Sequence, residues 1–249
     1  MRIYTLGRFS VTVHRHSLNP QLKPRYQRPW ELLQALIAFG GRDVHAELLS
    51  QALWPDADGD HAQNTFDVTL HRLRRLFNVE ALFLMRGRRL SLNHELAWVD
   101  VWSFERLINH AARLIPRFDD PGTAHQLARY EERLLNLYQG AFLEREATRP
   151  WALSLRERLR SKLLRHMHEA GPAWERAGEW ETAIRCYQKG LEIDPLFESL
   201  YQRLMYCFRE TGRVPEALAT YHRCRTVLAQ QFQIEPSRNT RQLYNSLIT

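Results

Sequence analysis

The sequence predicts a mostly α protein in two parts: a small antiparallel sheet with three helices and a basic-tipped hairpin over residues 1–97, then an all-α array of helical repeats over residues 98–249. Three observations lead there. β-rich residues crowd into the first thirteen positions and again around residues 82–92. Apolar residues elsewhere recur at helical spacing. A pattern of small and aromatic residues returns after 34 residues in the second half.

Arg2 to Val13 form two short β-rich runs around Gly7, the pattern of a small antiparallel sheet. His14 to Pro29 is polar and marked by Pro20, Pro24 and Pro29. From Trp30, the residues Leu32, Leu33, Leu36 and Ile37 fall on one stripe, and Gly40-Gly41 stops this first helix. A second helix, from about Ala46 to Trp54, buries Leu48, Leu49, Ala52 and Leu53 and ends at Pro55. The third starts near Asp60, where Asp60 and Gln63 have capping-box spacing, and extends to about Phe77. At about 100° per residue, Phe66, Leu70, Leu73 and Phe77 share one side, while Asn64, Val68, His71, Arg72 and Arg75 share the other. Leu82 to Met85 and Leu90 to Leu92 flank Arg86-Gly87-Arg88-Arg89, a hairpin with a cationic tip.

Strand signals vanish after Val99. Amphipathic helices follow, with breaks at Pro116 to Gly122, Gly140, Pro150, Gly171-Pro172, Gly178, Asp194-Pro195, Gly212 and Glu235-Pro236. Gly178, Ala183 and Tyr187 recur as Gly212, Ala217 and Tyr221, at the tetratricopeptide period of about 34 residues. In such repeats small residues at helix crossings and an aromatic on the second helix let paired helices stack.

Composition narrows the function. With 44% apolar residues the chain is not disordered as a whole, and no run approaches the roughly 18 apolar residues of a membrane span. Met1 to Leu6 leads straight into an alternating pattern instead of a signal-peptide core, which reads as a cytoplasmic protein with no membrane partner. Three cysteines, Cys186, Cys207 and Cys224, are too few for a disulfide framework and lack C-x-x-C spacing. The close histidine pairs, His14 with His16 and His166 with His168, have no third ligand at metal-binding spacing, so no metal is expected. Nucleotide-binding glycine loops and hydrolase motifs are absent, so neither a cofactor nor an enzymatic activity is expected.

Charge is informative by position. The net charge is +7, and arginine supplies all but Lys23, Lys162 and Lys189 of the 35 basic residues, a bias that a G+C-rich genome explains. Between Val68 and Leu92, six arginines (Arg72, Arg74, Arg75, Arg86, Arg88 and Arg89) face the single acid Glu80. A merely solvated face interleaves both signs. Unopposed arginines on a helix and the adjacent hairpin instead fit double-stranded DNA. The stretch Arg156, Arg158, Arg160, Lys162 and Arg165 is spread around its helix and reads as solvated surface.

Sheet, three helices and a basic-tipped hairpin follow the order of the OmpR/PhoB-type winged helix-turn-helix, and Phe66-Asp67-Val68-Thr69-Leu70-His71-Arg72-Leu73-Arg74-Arg75-Leu76 closely resembles its recognition helix. Ala52-Leu53-Trp54-Pro55-Asp56 resembles the end of that family's second helix. The second half resembles the bacterial transcriptional activator domain of SARP-type regulators. The matching pieces include Val99-Asp100, Leu137-Tyr138-Gln139-Gly140-Ala141-Phe142-Leu143, Asp194-Pro195-Leu196, Glu216-Ala217-Leu218 and Ile234-Glu235-Pro236-Ser237. The resemblance implies an N-terminal winged-helix DNA-binding domain over 1–97 and a TPR-like activator domain over 98–249.

It further implies that Arg72 reads bases in the major groove, oriented by Asp67. Asn64, Thr69, His71 and Arg74 would face phosphates, and Arg86 would enter the minor groove. Val68 and Arg75 complete the outward face, while Arg88 and Arg89 add charge where the family wing usually reads Arg-Gly-x-Gly-Tyr. Asn64 and His71 stand where arginine often stands. By resemblance the chain is an activator that binds promoter direct repeats as a homodimer or side-by-side pair and engages RNA polymerase holoenzyme. The alternative is a protein-interaction adaptor that relies on its TPR-like domain, with Asn64, His71 and the altered wing in its favour.

Overall fold

Gly7 adopts φ +87°, a conformation that costs glycine little, and the chain reverses there. β1 (Arg2–Tyr4) and β2 (Ser10–Val13) therefore pair antiparallel, with Ile3 opposite Val11. The computed structural model describes residues 1–13, 16–18, 27–118, 120–146 and 149–248. Two strands beyond the expected pair complete the sheet: β3 (His16–Leu18) adds antiparallel to β2, and β7 (Trp98–Val99) adds parallel to β1. Most of the proline-marked stretch, with His14, Pro20 and Pro24, lies outside the described residues.

α1 (Gln27–Ala38) begins three residues before Trp30 and buries its whole middle, including Leu32, Leu33, Leu36 and Ile37. Its C-terminal turn closes as Gly40 N–H donates to Ile37 and Gly41 N–H to Leu36, the Schellman pattern, with both glycines at positive φ. β4 (Val44–His45) and α2 (Ala46–Leu53) follow. Only one stripe of α2, Ala46, Leu49, Ser50 and Leu53, is buried. Leu48 lies off that stripe and is 43% exposed, contrary to the sequence expectation. α3 (Gly59–Phe77) packs against both preceding helices through Phe66, Leu70, Leu73 and Phe77. β5 (Phe83–Arg86) and β6 (Arg89–Leu92) form the hairpin, and β4 pairs with β6. Gly87 and Arg88, at φ +52° and +62°, make a two-residue turn whose twist suits a hairpin.

Helices account for most of what remains: α4 (Asp100–Leu114), α5 (Pro121–Leu137), α6 (Pro150–Arg176), α7 (Trp180–Ile193), α8 (Glu198–Glu210), α9 (Val214–Phe232) and α10 (Arg238–Ile248). The fold is mostly α, a winged helix-turn-helix followed by all-α helical repeats. The chain divides into two compact units, Met1–Leu107 with Arg133–Leu159, and Ile108–Glu132 with Arg160–Thr249.

In the first unit an aromatic chain joins the elements. Phe9 meets Trp30 at 5.8 Å, Trp30 meets Phe77 edge-on at 5.5 Å, and Phe77 meets Phe83 at 5.8 Å. Asp100 supplies a polar counterpart in the core. Its buried carboxylate accepts from Thr5 N–H (2.6 Å), Leu6 N–H (2.8 Å), the Thr5 hydroxyl (2.7 Å) and Val101 N–H (2.8 Å). The later segment of this unit closes on the same loop, as Leu143 N–H donates to the Thr5 carbonyl and Gly7 N–H to the Ala141 carbonyl. Gly140 has to be glycine there, since a Cβ would sit 2.8 Å from the Gly7 Cα. Arg156 donates to the carbonyls of Phe142 and Leu143, and Arg158 pairs with Glu105, so these arginines are engaged in structure and are not simply solvated.

In the second unit the 34-residue repeat is visible in the backbone. α6 ends with Glu179 N–H donating to Trp174 and Gly178 N–H to Glu175; α8 ends with Arg213 N–H donating to Phe208 and Gly212 N–H to Arg209. Both glycines are at φ just above +70°. Ala183 and Ala217 are fully buried, and Tyr187 and Tyr221 join the same core. The break expected at Gly171-Pro172 does not occur: α6 runs through Pro172. A Cβ on Gly171 would lie 2.2 Å from the Tyr187 ring, so this glycine serves close packing of α6 on α7 rather than helix termination. α6 thus keeps Pro172 in its interior, a position that costs a helix roughly 3 kcal/mol.

The cysteines are free and buried, as read from the sequence. Burial pushes the Cys207 thiol up to about 11 and Cys224 to about 12, and raises Cys186 well above its ordinary value. Native protein at pH 8 should therefore resist alkylation by iodoacetamide, and all three thiols should react in guanidinium. Rapid labelling of the native chain, read by intact mass, would contradict this burial.

Candidate nucleic-acid interface

The geometry of the interface begins with the two-sided helix α3. Burying Phe66, Leu70, Leu73 and Phe77 leaves Asn64, Asp67, Val68, His71, Arg72 and Arg75 exposed on its outer side. Val68 is 50% exposed, an apolar side chain in the middle of a polar face. The hairpin tip exposes Arg86, Arg88 and Arg89. Two elements of the first unit thus present cations, with Asp67 as the acid on the outer side of α3.

The arginines divide into free and engaged groups. Arg72, Arg75 and Arg86 have no hydrogen-bond or ion-pair partner among the described residues. Arg88 donates to Gln63 Oε1, and Gln63 Nε2 donates to Asp67 Oδ2 at 3.1 Å. A side-chain relay therefore ties the wing tip to α3. Arg89 Nη1 donates to the Asp43 carbonyl at 3.3 Å, near the start of the strand that pairs with the wing. Gln63 is the residue that sequence reasoning misassigned. The helix is capped by Asp58 with no side-chain bond, so the expected Asp60–Gln63 capping box does not form.

Three expected roles need correction. Thr69 is buried at 4% exposure and its hydroxyl donates to the Thr65 carbonyl at 2.7 Å, so it has no side-chain surface for a phosphate. Arg74 Nη2 donates to the Phe83 carbonyl at 3.0 Å and its Nε is buried, which makes it a brace between α3 and β5. Asp67 accepts from Gln63 and makes no ion pair with Arg72 among the described residues. Position alone hides these outcomes. Thr69 and Arg74 border the buried stripe, and which way a border residue turns depends on the neighbouring strand.

Among the described residues no three histidine, cysteine or acidic side chains gather as a metal site. No helix among them is long and apolar enough to cross a membrane.

The bacterial transcriptional activator domain model matches residues 99–248, more than half of the chain. The chain belongs to this family, that of the bacterial transcriptional activator domain found in SARP-type regulators. The family is one of transcriptional regulators and not an enzyme class. No curated protein matches. Among solved structures, Mycobacterium tuberculosis EmbR, determined in complex with a low-affinity phosphopeptide, is similar in fold, with a TM-score of 0.74 and 19% identity. The likeness covers 99% of this chain and 64% of that one, so the present sequence spans less than two-thirds of the length of its structural relative.

Proposed function

We propose that the chain is a sequence-specific DNA-binding transcriptional activator. In this reading residues 1–97 carry the DNA contacts and residues 98–249 engage RNA polymerase holoenzyme. The supporting observation is the outer face of α3, exposed beside a cationic hairpin, with Arg72, Arg75 and Arg86 unspent on intramolecular partners. A helix of α3's width fits the major groove. Arg72 and Val68 lie centrally on that face to meet base edges, Asn64, His71 and Arg75 flank them toward the phosphates, and Arg86 enters the minor groove. Binding to promoter direct repeats would set two chains side by side, as a homodimer or a pair assembled on DNA. Soluble, cytoplasmic action follows from this role.

Fluorescence anisotropy on a footprinted promoter duplex and on an unrelated duplex, each titrated with salt, tests the proposal. A sequence-dependent remainder at physiological salt supports it; equal, weak binding to both duplexes supports the adaptor reading instead. Replacing Arg88 and Arg89 together by Ala should weaken both duplexes alike. It should also flatten the slope of log affinity against log salt by about 1 for each phosphate that is no longer neutralised. An unchanged slope would remove the wing arginines from the interface.

A further inference from the structure

A cavity of about 610 Å³ lies in the second unit, between the start of α5 and the turn from α6 to α7, a size suited to a small molecule. Its wall includes Phe118, Ala124, Trp174, Arg176, Glu179 and Thr182. Trp174 is fixed on two sides. Its indole N–H donates to Glu131 at 3.0 Å, and the Phe118 ring meets it edge-on at 4.7 Å.

The second repeat shows how the same position is filled elsewhere in the molecule. Moving 34 residues along, Trp174 becomes Phe208, Arg176 becomes Glu210, Glu179 becomes Arg213 and Thr182 becomes Glu216. There the Arg213 guanidinium lies 4.6 Å from the centre of the Phe208 ring, held by Glu216 at 2.9 Å and Glu181 at 3.0 Å. The helix end is thus closed by a cation seated on an aromatic ring and bound by carboxylates. In the first repeat the residue after the capping glycine is Glu179. A carboxylate is repelled by the negative face of an indole and cannot take the place that Arg213 takes. Glu179 and Arg176 both line the cavity, and neither has an ion-pair partner among the described residues. The first repeat thus keeps an aromatic ring, sets the Glu179 carboxylate where the second repeat has its cation, has Thr182 where the second has Glu216, and adds a guanidinium at Arg176 for an anion.

We propose that this cavity binds a small zwitterionic amino acid with a hydrophobic side chain. The ligand's ammonium sits between Glu179 and Trp174, its carboxylate meets Arg176, and its apolar body rests against Phe118 and Ala124. The site is independent of the DNA-binding face, and its test uses no DNA.

Isothermal titration calorimetry on the full chain, with L-phenylalanine as the probe, reads the site directly. Phenethylamine lacks the carboxylate and 3-phenylpropionate lacks the ammonium, so each should bind at least about fivefold more weakly. Arg176→Gln should weaken L-phenylalanine about fivefold and leave phenethylamine unchanged, and Glu179→Gln should weaken L-phenylalanine and leave 3-phenylpropionate unchanged. Both side chains are exposed, so these variants keep the fold, which circular dichroism verifies. Glu179→Arg reverses the charge that would meet the ligand's ammonium and sets a guanidinium where the second repeat has Arg213, and should abolish binding. The proposal is overturned by absence of binding at millimolar L-phenylalanine, by equal affinity for all three probes, or by undiminished binding to Glu179→Arg.

Discussion

Replacing Asp100 by Ala will lower the stability of the first unit by about 3 to 5 kcal/mol, because four donors lose their acceptor in a place water does not reach. Asp100 is 1% exposed, and the Thr5 and Leu6 amides that it binds belong to the turn carrying the sheet's first strand. Each orphaned buried donor costs about 1 to 3 kcal/mol, and some relaxation of the turn keeps the total below the sum. Guanidinium unfolding followed by tryptophan fluorescence measures the effect, since Trp30, Trp54, Trp98, Trp102 and Trp151 report on this unit. A loss under about 1 kcal/mol would show that the four bonds are replaceable by solvent.

The pH dependence has a definite sign. Burial raises the Asp100 carboxyl above its ordinary value, although the hydrogen bonds from Thr5, Leu6 and Val101 pull the other way. A raised value means that the folded state holds the proton more tightly than the unfolded chain does. The contribution from this titration is therefore full below the ordinary aspartate range and is lost as pH rises through the raised folded value. The stability gap between wild type and Asp100→Ala should accordingly narrow as pH climbs through that window.

Replacing Arg72 by Ala will cost about 1 to 3 kcal/mol of affinity for the cognate duplex, roughly a 5- to 150-fold loss, and will relax discrimination at one base position. Arg72 is exposed and has no intramolecular partner among the described residues, so its removal leaves the fold of α3 intact and isolates the contact with DNA. A phosphate-binding arginine behaves differently, because its loss weakens all sequences equally and reduces the salt slope. Anisotropy titrations on cognate and single-substituted duplexes separate the two. If affinity and base preference were unchanged by the substitution, α3 would not be reading DNA through Arg72.

Much of this architecture was legible because it follows from local periodicity. The buried side of α3 required only the spacing of Phe66, Leu70, Leu73 and Phe77. The wing required only β-rich runs on either side of Gly87, and the repeat required only Gly178 and Gly212 at matching positions. What escaped the sequence depends on distant partners. Pro172 reads as a helix break until Gly171 is seen against Tyr187, and Leu48 reads as core until the narrow contact of α2 is known. Thr69 and Arg74 read as phosphate ligands until their hydrogen bonds to Thr65 and Phe83 are in view. Gln63, with a polar partner on each side, has no sequence signal of its own beyond its distance from the wing.

The parallel strand β7 and the bonds that Thr5 to Gly7 make to residues 100, 141 and 143 bear on how the protein is made. A ribosome releases α3 and the wing long before it releases residue 159, where the first unit's later segment ends. At about 5 to 20 residues per second, some 3 to 12 s separate the appearance of residue 97 from that of residue 159. During that interval α3 exists without the Asp100 acceptor's full surroundings and without the later segment in which Phe142 bridges to Leu6. A nascent or prematurely terminated chain thus lacks part of the first unit even when it already contains every arginine of α3 and the hairpin. The first unit can be completed only after residue 159 has been made.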